Sequence, residues 1–212
     1  MTARAGSRPT CVKICGITRP QDAALAAELG ADLLGMVFSA ASRRRVDLAR
    51  AEELARASDG AARVGVFKYE TLPEMLAAIE RGRLSFAQLQ RLVTADEVAA
   101  LPVPVIAAIR HAGDADALPD AVLGRLRAVL LDDSEGAGSR SGWATLESRP
   151  FVPVDLFLAG GLDDGCVGDA IRRLRPDGVD VATGVESSLG IKDRGRMERF
   201  IAAVREADRA AR

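Results

Sequence analysis

The hydrophobic positions of this 212-residue chain fall into short continuous runs, separated by segments with helical periodicity. Runs that do not alternate in polarity are typical of parallel strands buried on both faces of a sheet. Eight such runs are predicted to be strands: Cys11–Cys15, Leu33–Phe38, Arg63–Phe67, Ser85–Leu89, Val103–Ile109, Leu126–Leu131, Val154–Ala159 and Gly178–Ala182.

Amphipathic helices are predicted between these runs, and capping residues mark their ends. Pro20 opens the first helix and Gly30 follows its last turn, while Thr94 is the predicted N-cap of the fourth. The predicted helices are Gln21–Leu29, Asp47–Ala57, Leu72–Arg81, a short segment from Ala95, Ala115–Leu123, Cys166–Leu174 and Arg194–Ala207. Most of Glu135–Arg149 is predicted to be loop.

Eight strand–helix units in about 200 residues favour an α/β fold, a single-domain (β/α)8 TIM barrel. The alternative is a doubly wound open sheet. It is disfavoured because no G-x-G-x-x-G sequence follows the first strand. The barrel is predicted over residues 10–212. Residues 1–9 lack an apolar pattern and are predicted to be a disordered N-terminal tail.

The amino-acid composition makes several classes of function unexpected. The 29 basic and 30 acidic side chains give a net charge of -1, so no overall field attracts nucleic acid or an anionic membrane. One histidine, His111, makes a Cys/His zinc centre or a multi-histidine metal site unexpected. Cys11, Cys15 and Cys166 are too few for a disulfide framework, which favours a reducing cytoplasm. No run approaches the ~18–20 apolar residues that span a bilayer.

Polar and glycine residues follow the carboxyl ends of several predicted strands, where active sites of this fold lie. Cys15 ends the first strand and Asp132 follows the sixth. The turns Gly160-Gly161 and Thr183-Gly184 follow the seventh and eighth, where free backbone N–H groups commonly bind phosphate. Two simpler interpretations stay open: the glycines only mark the boundaries between strands and helices, and Cys15 is a small buried hydrophobic residue.

Ordered motifs extend from Val12 to about Arg205: Val12-Lys13-Ile14-Cys15-Gly16-Ile17-Thr18-Arg19-Pro20, Gly35-Met36-Val37-Phe38, Arg63-Val64-Gly65-Val66-Phe67, Leu130-Leu131-Asp132, Leu158-Ala159-Gly160-Gly161-Leu162 and Gly178 to Ser187 with Lys192-Asp193. Together they resemble the phosphoribosylanthranilate isomerases. The resemblance implies isomerisation of N-(5'-phosphoribosyl)anthranilate to 1-(2-carboxyphenylamino)-1-deoxyribulose 5-phosphate, an Amadori rearrangement of tryptophan biosynthesis that needs no cofactor or metal.

The resemblance also implies roles for individual side chains. Cys15 would be the general base and Asp132 the general acid, which suits a reaction that protonates the ring oxygen and removes the C2 proton. Lys13 precedes Cys15 by two residues, on the same strand face, and could favour its thiolate. Asp180 matches a family position near the substrate. A purely structural hydrogen bond within the barrel is the equal alternative for Asp180.

Arg44 aligns with the family's arginine for the anthranilate carboxylate, which a bidentate guanidinium suits. It stands within Arg43-Arg44-Arg45, and a run of three arginines is otherwise most often a solvated surface. The phosphate is expected at Gly160, Gly161, Thr183 and Gly184, because the turns after the seventh and eighth strands commonly bind phosphate in this fold. The expected partner is a small phosphosugar, without nucleic acid or membrane, and the chain is expected to be a monomer or a homodimer.

Several positions depart from the family pattern. Gln90 stands where the family has a histidine, and it is retained as a substrate-site candidate. Tyr69 replaces an asparagine, and the loop Gly136–Trp143 differs in sequence. Asp163 and Asp164 in the phosphate turn would repel a nearby phosphate. These departures leave two alternatives: a diverged isomerase of a related phosphosugar amine, and a catalytically silent barrel that acts as a binding or scaffold protein.

Overall fold

The computed structural model describes residues 8–91, 93–115, 118–132, 143, 146 and 149–210. Eight parallel strands follow one another around a closed barrel, which confirms the predicted (β/α)8 fold. The strands are β1 Cys11–Cys15, β2 Leu33–Val37, β3 Ala62–Phe67, β4 Phe86–Leu89, β5 Val105–Ile109, β6 Leu126–Leu131, β7 Asp155–Leu158 and β8 Gly178–Val181.

Helices follow the strands on the outside of the barrel. They are α1 Pro20–Glu28, α2 Leu48–Ala57, α3 Leu72–Arg81, α4 Ala95–Ala100, α5 Asp120–Leu123, α6 Val167–Leu174 and α7 Arg194–Ala210. After β8, a 3-10 turn at Thr183–Val185 leads into a short antiparallel ribbon of β9 Glu186–Ser188 and β10 Ile191–Lys192.

The helix predicted over Ala115–Leu123 is wrong in extent. A 3-10 turn occupies Ala112–Ala115, and α5 is a single turn that begins at Asp120. Pro119 adopts an extended conformation and disfavours helix at the residue before it, so the periodic pattern cannot form one helix. Cys166, predicted inside a helix, is instead the N-cap residue that precedes α6.

Side chains of the strands alternate between two apolar layers. Val12 and Ile14 of β1 point outward into the layer between strands and helices. The inner layer contains Leu33, Val64, Ile106, Ala128, Leu130 and Phe157. A Cβ on Gly178 would lie 1.5 Å from Cε1 of Phe157, so a glycine is required where this ring crosses the barrel. The apolar filling leaves the carboxyl ends of the strands for polar side chains.

The start of the barrel is tied to its last helix. Thr10 donates from its backbone N and its Oγ1 to the carboxylate of Asp208, at 3.0 and 2.5 Å. Of the predicted tail, only Arg8 and Pro9 are described, and both are exposed. The other predicted tail residues lie outside the described part of the chain, as does most of the loop predicted over Glu135–Arg149.

Candidate active site

A cavity of about 590 Å³ opens at the carboxyl ends of the barrel strands. With the exception of Lys13, each site residue predicted from sequence borders it: Cys15, Arg44, Gln90, Asp132, Gly160, Gly161, Asp180, Thr183 and Gly184. Cys15 ends β1 and Asp132 follows β6, so the two stand on strands separated by β7 and β8 around the barrel. A ligand in the cavity can therefore lie between the thiol and the carboxyl group.

Lys13 lies just beneath the cavity, buried between β1 and β8. Because the two strands pair in the register Lys13 to Asp180, the ammonium meets the carboxylate, with Nζ 3.0 Å from Oδ2. Lys13 also lies near the Cys15 thiol, two residues along the same strand face, where its positive charge favours the thiolate. Asp180 thus makes the structural contact that was one of its two interpretations, and it also borders the cavity.

Gly35 makes room for this pair of side chains. It lies beside Cys15 in the β1–β2 register. A Cβ at Gly35 would lie 2.8 Å from Cys15 Sγ and 3.2 Å from Lys13 Nζ. The absence of a side chain on β2 is therefore what allows the thiol and the ammonium to approach each other.

Burial and charge act in opposite directions on these groups. Burial raises the pKa of Cys15, and the positive charge of Lys13 offsets only part of this rise. Burial also raises the pKa of Asp180 against the effect of Lys13, and the charge of Asp132 adds to the rise. For Lys13, attraction to Asp180 and Cys15 outweighs burial and raises the pKa. In the free protein Lys13 favours the thiolate, as expected, but burial outweighs it.

Two buried acceptors at the cavity have no hydrogen-bond partner among the described residues: Gln88 Oε1 and Asp180 Oδ1. Buried polar atoms without a partner are rare, and each costs free energy. Both are suited to accept hydrogen bonds from a ligand. The sequence analysis did not select Gln88. The available signal was its amide, which interrupts the otherwise apolar strand Phe86–Leu89.

Arg44 differs from its neighbours in the arginine run. Arg43 and Arg45 are exposed, whereas the Arg44 side chain is 13% exposed. Its Nε and Nη2 each lie 2.7 Å from a carboxylate oxygen of Glu186. The solvated-surface interpretation is wrong for Arg44. Glu186 occupies the Nε–Nη2 edge of Arg44, and the binding of a ligand carboxylate by Arg44 stays a prediction.

Gly16 lies under the Arg44 side chain. Its φ of +72° is in the left-handed region, and an added Cβ would lie 2.4 Å from Arg44 Cδ. Arg44 Nη2 also donates to Thr183 Oγ1 at 3.1 Å. The Thr183 hydroxyl, predicted for phosphate, therefore also supports the arginine.

The glycine turn after β7 has the conformation that only glycine adopts readily. Gly160 and Gly161 have φ of 85° and 63°. A Cβ at Gly184 would lie 2.1 Å from the carbonyl oxygen of Leu162, so the turns after β7 and β8 pack directly on each other. Trp143 Nε1 donates to Gly160 O at 2.8 Å.

The two acidic residues of this turn have partners of their own. Asp163 Oδ1 accepts from the backbone N of Gly165 at 3.0 Å. Asp164 forms an ion pair with Arg199, with Nε 2.6 Å from Oδ2. This pairing offsets part of the repulsion that the sequence predicts for a phosphate at the turn.

The remaining departures lie at the edge of the site or outside it. Gln90 borders the cavity with an exposed side chain. Tyr69 is 74% exposed. His111 is exposed, and its backbone N donates to Asp114 Oδ2 at 2.8 Å, in the turn after β5. Neither Tyr69 nor His111 borders the cavity formed by the described residues.

Within the described part of the chain, no group of three or more His, Cys, Asp or Glu side chains could hold a metal ion. The described helices include none that is both long and apolar enough to cross a membrane.

Comparison with known proteins gives one consistent family. The model of the N-(5'-phosphoribosyl)anthranilate isomerase family matches residues 12–203. An N-(5'-phosphoribosyl)anthranilate isomerase of Halorhodospira halophila is 37% identical over 209 residues, covering 94% of this chain and 98% of the relative. One from Pseudomonas putida is 38% identical over 203 residues, with 92% and 97% coverage.

Solved structures agree. The phosphoribosyl anthranilate isomerase of Thermus thermophilus superposes with a TM-score of 0.79 at 32% identity, covering 93% of this chain and 99% of the other. A phosphoribosyl anthranilate isomerase in complex with reduced 1-(o-carboxyphenylamino)-1-deoxyribulose 5-phosphate superposes with a TM-score of 0.76 at 29% identity, with the same coverage. The chain therefore belongs to the phosphoribosylanthranilate isomerase family.

Proposed function

We propose that the protein isomerises N-(5'-phosphoribosyl)anthranilate to 1-(2-carboxyphenylamino)-1-deoxyribulose 5-phosphate, a step of tryptophan biosynthesis. The observation that carries this proposal is that Cys15 and Asp132 border one cavity from separate strands. An acid and a base that face the same ligand are the two groups that an Amadori rearrangement needs.

The reaction proceeds in two proton transfers. Asp132 gives a proton to the furanose ring oxygen, the bond from C1' to that oxygen breaks, and the nitrogen lone pair forms an open-chain iminium. Cys15, as the thiolate, then removes the proton on C2', and the electron pair of that bond forms the C1'–C2' double bond of an enolamine. Tautomerisation of the enol at C2' yields the ketone. No external oxidant or reductant is required, because C1' is reduced as C2' is oxidised.

The positive charge of Lys13 assists the base. A thiol accepts a proton only as the thiolate, and burial of Cys15 raises its pKa in the free protein. The buried ammonium of Lys13 lies near the sulfur, and its positive charge stabilises the anion. Asp180 holds that ammonium in place through its 3.0 Å contact.

The remaining parts of the cavity suit the remaining parts of the substrate. The glycine turns at Gly160, Gly161 and Gly184 present backbone N–H groups to the 5'-phosphate. Gln88 Oε1 and Asp180 Oδ1, the two buried acceptors without partners, suit the hydroxyl groups of the ribose. Arg44, which borders the same cavity, suits the anthranilate carboxylate.

The test is turnover of the fluorescent substrate by the purified protein. We expect Cys15→Ser and Asp132→Asn each to lower kcat by about 10²–10⁴-fold, the range that general acid–base groups contribute. Cys11→Ser is the matched control, because Cys11 lies on the same strand at the end away from the cavity. Complementation of a bacterium that lacks the isomerase, with the same variants, repeats the test in a cell.

Two outcomes would replace this proposal. If the wild-type protein shows no turnover but binds ribose 5-phosphate, it is a diverged isomerase of another phosphosugar amine. If it binds no phosphosugar, it is a silent barrel. The three cysteines are free thiols, which supports the further proposal that the protein acts in the cytoplasm. A monomer or a homodimer remains the predicted assembly, and sedimentation would distinguish them.

A further inference from the structure

The guanidinium of Arg44 has five N–H donors, and three of them are already used. Nε donates to Glu186 Oε1, and Nη2 donates to Glu186 Oε2 and to Thr183 Oγ1. The two donors on Nη1 have no partner among the described residues. A carboxylate that enters the cavity would therefore bind Arg44 through Nη1. Glu186 already neutralises the charge of that guanidinium.

Lys192 adds a second positive charge beside Glu186, which neutralises Arg44. Its side chain is fully buried, and Nζ donates to Glu186 Oε1 at 3.0 Å, to Cys15 O at 2.6 Å and to Ala182 O at 3.1 Å. Three acceptors around one nitrogen match the three hydrogens of an ammonium, whereas a neutral amine has only two. With Lys192 as the ammonium, Arg44 and Lys192 carry two positive charges against one on Glu186, which leaves the cluster one net positive charge. Burial lowers the pKa of Lys192, and the charge of Glu186 opposes that shift.

Glu186 is fully occupied by this cluster. Oε1 accepts from Arg44, Lys192 and the backbone N of Gly190, the last at 3.2 Å, and Oε2 accepts from Arg44. The ribbon of β9 and β10 pairs Glu186 with Lys192 after a register shift between Ile191 and Lys192, so the backbone itself sets the two charges side by side. Burial raises the pKa of Glu186, but the hydrogen bonds from Arg44 and the charge of Lys192 outweigh it and lower the pKa.

We propose that Glu186 is a positioning residue that holds Arg44 so that Nη1 receives a substrate carboxylate, and that Lys192 supplies the charge that makes this binding favourable. The site then selects a ligand with one carboxylate beside its phosphosugar. This inference rests on the proposed function for its choice of ligand. A pre-oriented donor costs less to order on binding than a free arginine side chain, which is the physical gain.

For Glu186→Gln, the change in charge and the loss of positioning predict opposite changes in carboxylate binding. Glu186→Gln removes a negative charge and raises the net charge of the cluster, so electrostatics alone would strengthen carboxylate binding. The amide also replaces one of the two acceptors that hold Arg44 with a donor, so loss of position would weaken it. Lys192→Met lowers the net charge of the cluster to zero and removes one of the donors that hold Glu186. The loss of charge and the loss of positioning then both weaken carboxylate binding.

The experiment measures Kd by calorimetry for two ligands: reduced 1-(o-carboxyphenylamino)-1-deoxyribulose 5-phosphate and the matched phenylamino compound without the carboxylate. We expect Glu186→Gln to reduce the preference for the carboxylated ligand about tenfold, with affinity for the other ligand within about twofold of wild type. Arg44→Lys, on a partly exposed side chain, keeps the charge without the planar fork. It should reduce the preference similarly, and it keeps the test usable if Glu186→Gln fails to fold.

The outcomes separate the two proposals. A preference that is unchanged or increased in Glu186→Gln would overturn the positioning role, and so would an equal loss of both ligands. An unchanged preference in Arg44→Lys would do the same. Failure of the wild-type protein to bind either ligand would instead overturn the proposed function, and this inference would fall with it.

Discussion

Lys13 and Asp180 form a buried ion pair across the strands that close the barrel, with Nζ 3.0 Å from Oδ2. Both side chains are buried, so each charge depends on the other. We predict that Lys13→Met lowers the free energy of unfolding by about 3–5 kcal/mol near neutral pH, because it leaves Asp180 unpaired. The double variant Lys13→Met/Asp180→Asn should lose much less, as urea unfolding would show.

The pH dependence of the Lys13→Met variant has a definite sign. Burial raises the pKa of Asp180, and without Lys13 nothing comparable opposes that rise. A group whose pKa is raised in the folded state destabilises the fold as pH rises through the folded value. The destabilisation should therefore be smaller at about pH 5 than at about pH 8. A loss of stability that is independent of pH would contradict this account.

Cys15 should react slowly with alkylating reagents in the free protein. Burial raises its pKa, so little thiolate is present near neutral pH, and the thiolate is the nucleophile. We expect alkylation by iodoacetamide at about pH 7.5 to be at least about tenfold slower than that of glutathione, and to keep increasing above about pH 9. Lys13→Met should slow it further. Mass spectrometry of the Cys15 peptide measures both rates, and a plateau below about pH 8 would exclude the raised pKa.

Gly35→Ala tests the packing that brings the base and its ammonium together. The new methyl group would lie 2.8 Å from Cys15 Sγ, so the thiol must move. We expect kcat to fall by about tenfold or more, since small displacements of a reacting group are costly. The loss of stability should be about 1–3 kcal/mol. Gly113→Ala is the control, because an added Cβ there has nothing within 4 Å.

Gln88→Leu should separate stability from activity. Gln88 Oε1 is buried without a partner among the described residues, so its removal relieves a desolvation cost of about 1–3 kcal/mol. We expect thermal unfolding to be unchanged or shifted upward, while KM rises about tenfold through loss of a ligand hydroxyl contact. A variant with normal KM would show that the amide does not contact substrate.

The strands of this barrel were predictable because each is a local apolar run, and β1 and β6 match the predicted residues at both ends. The cavity residues at strand ends followed from the fold, since parallel strands deliver their carboxyl ends to one face. The helix predicted over Ala115–Leu123 is wrong because Pro119 disfavours helical conformation at the residue before it. This effect of proline can also be inferred from the sequence.

The partners of the site residues were not predictable in the same way. The contact between Arg44 and Glu186 joins positions 142 residues apart, and only closure of the barrel brings them together. Sequence alone could align Arg44 with a ligand-binding arginine, but it could not show that one edge of the guanidinium is already occupied. Gln88 was missed because its significance lies in an unpaired atom, which only three-dimensional packing reveals.

Trp143 is the single tryptophan of the chain, it is 3% exposed, and its indole N–H donates to Gly160 in the turn proposed for phosphate. The protein thus contains its own optical probe at that turn. Indole emission depends on the polarity and hydrogen bonding of the ring, so occupancy of the turn by inorganic phosphate or ribose 5-phosphate can be followed without a label. Neither compound absorbs where indole is excited, which makes the phosphate end of the site observable separately from the aromatic end.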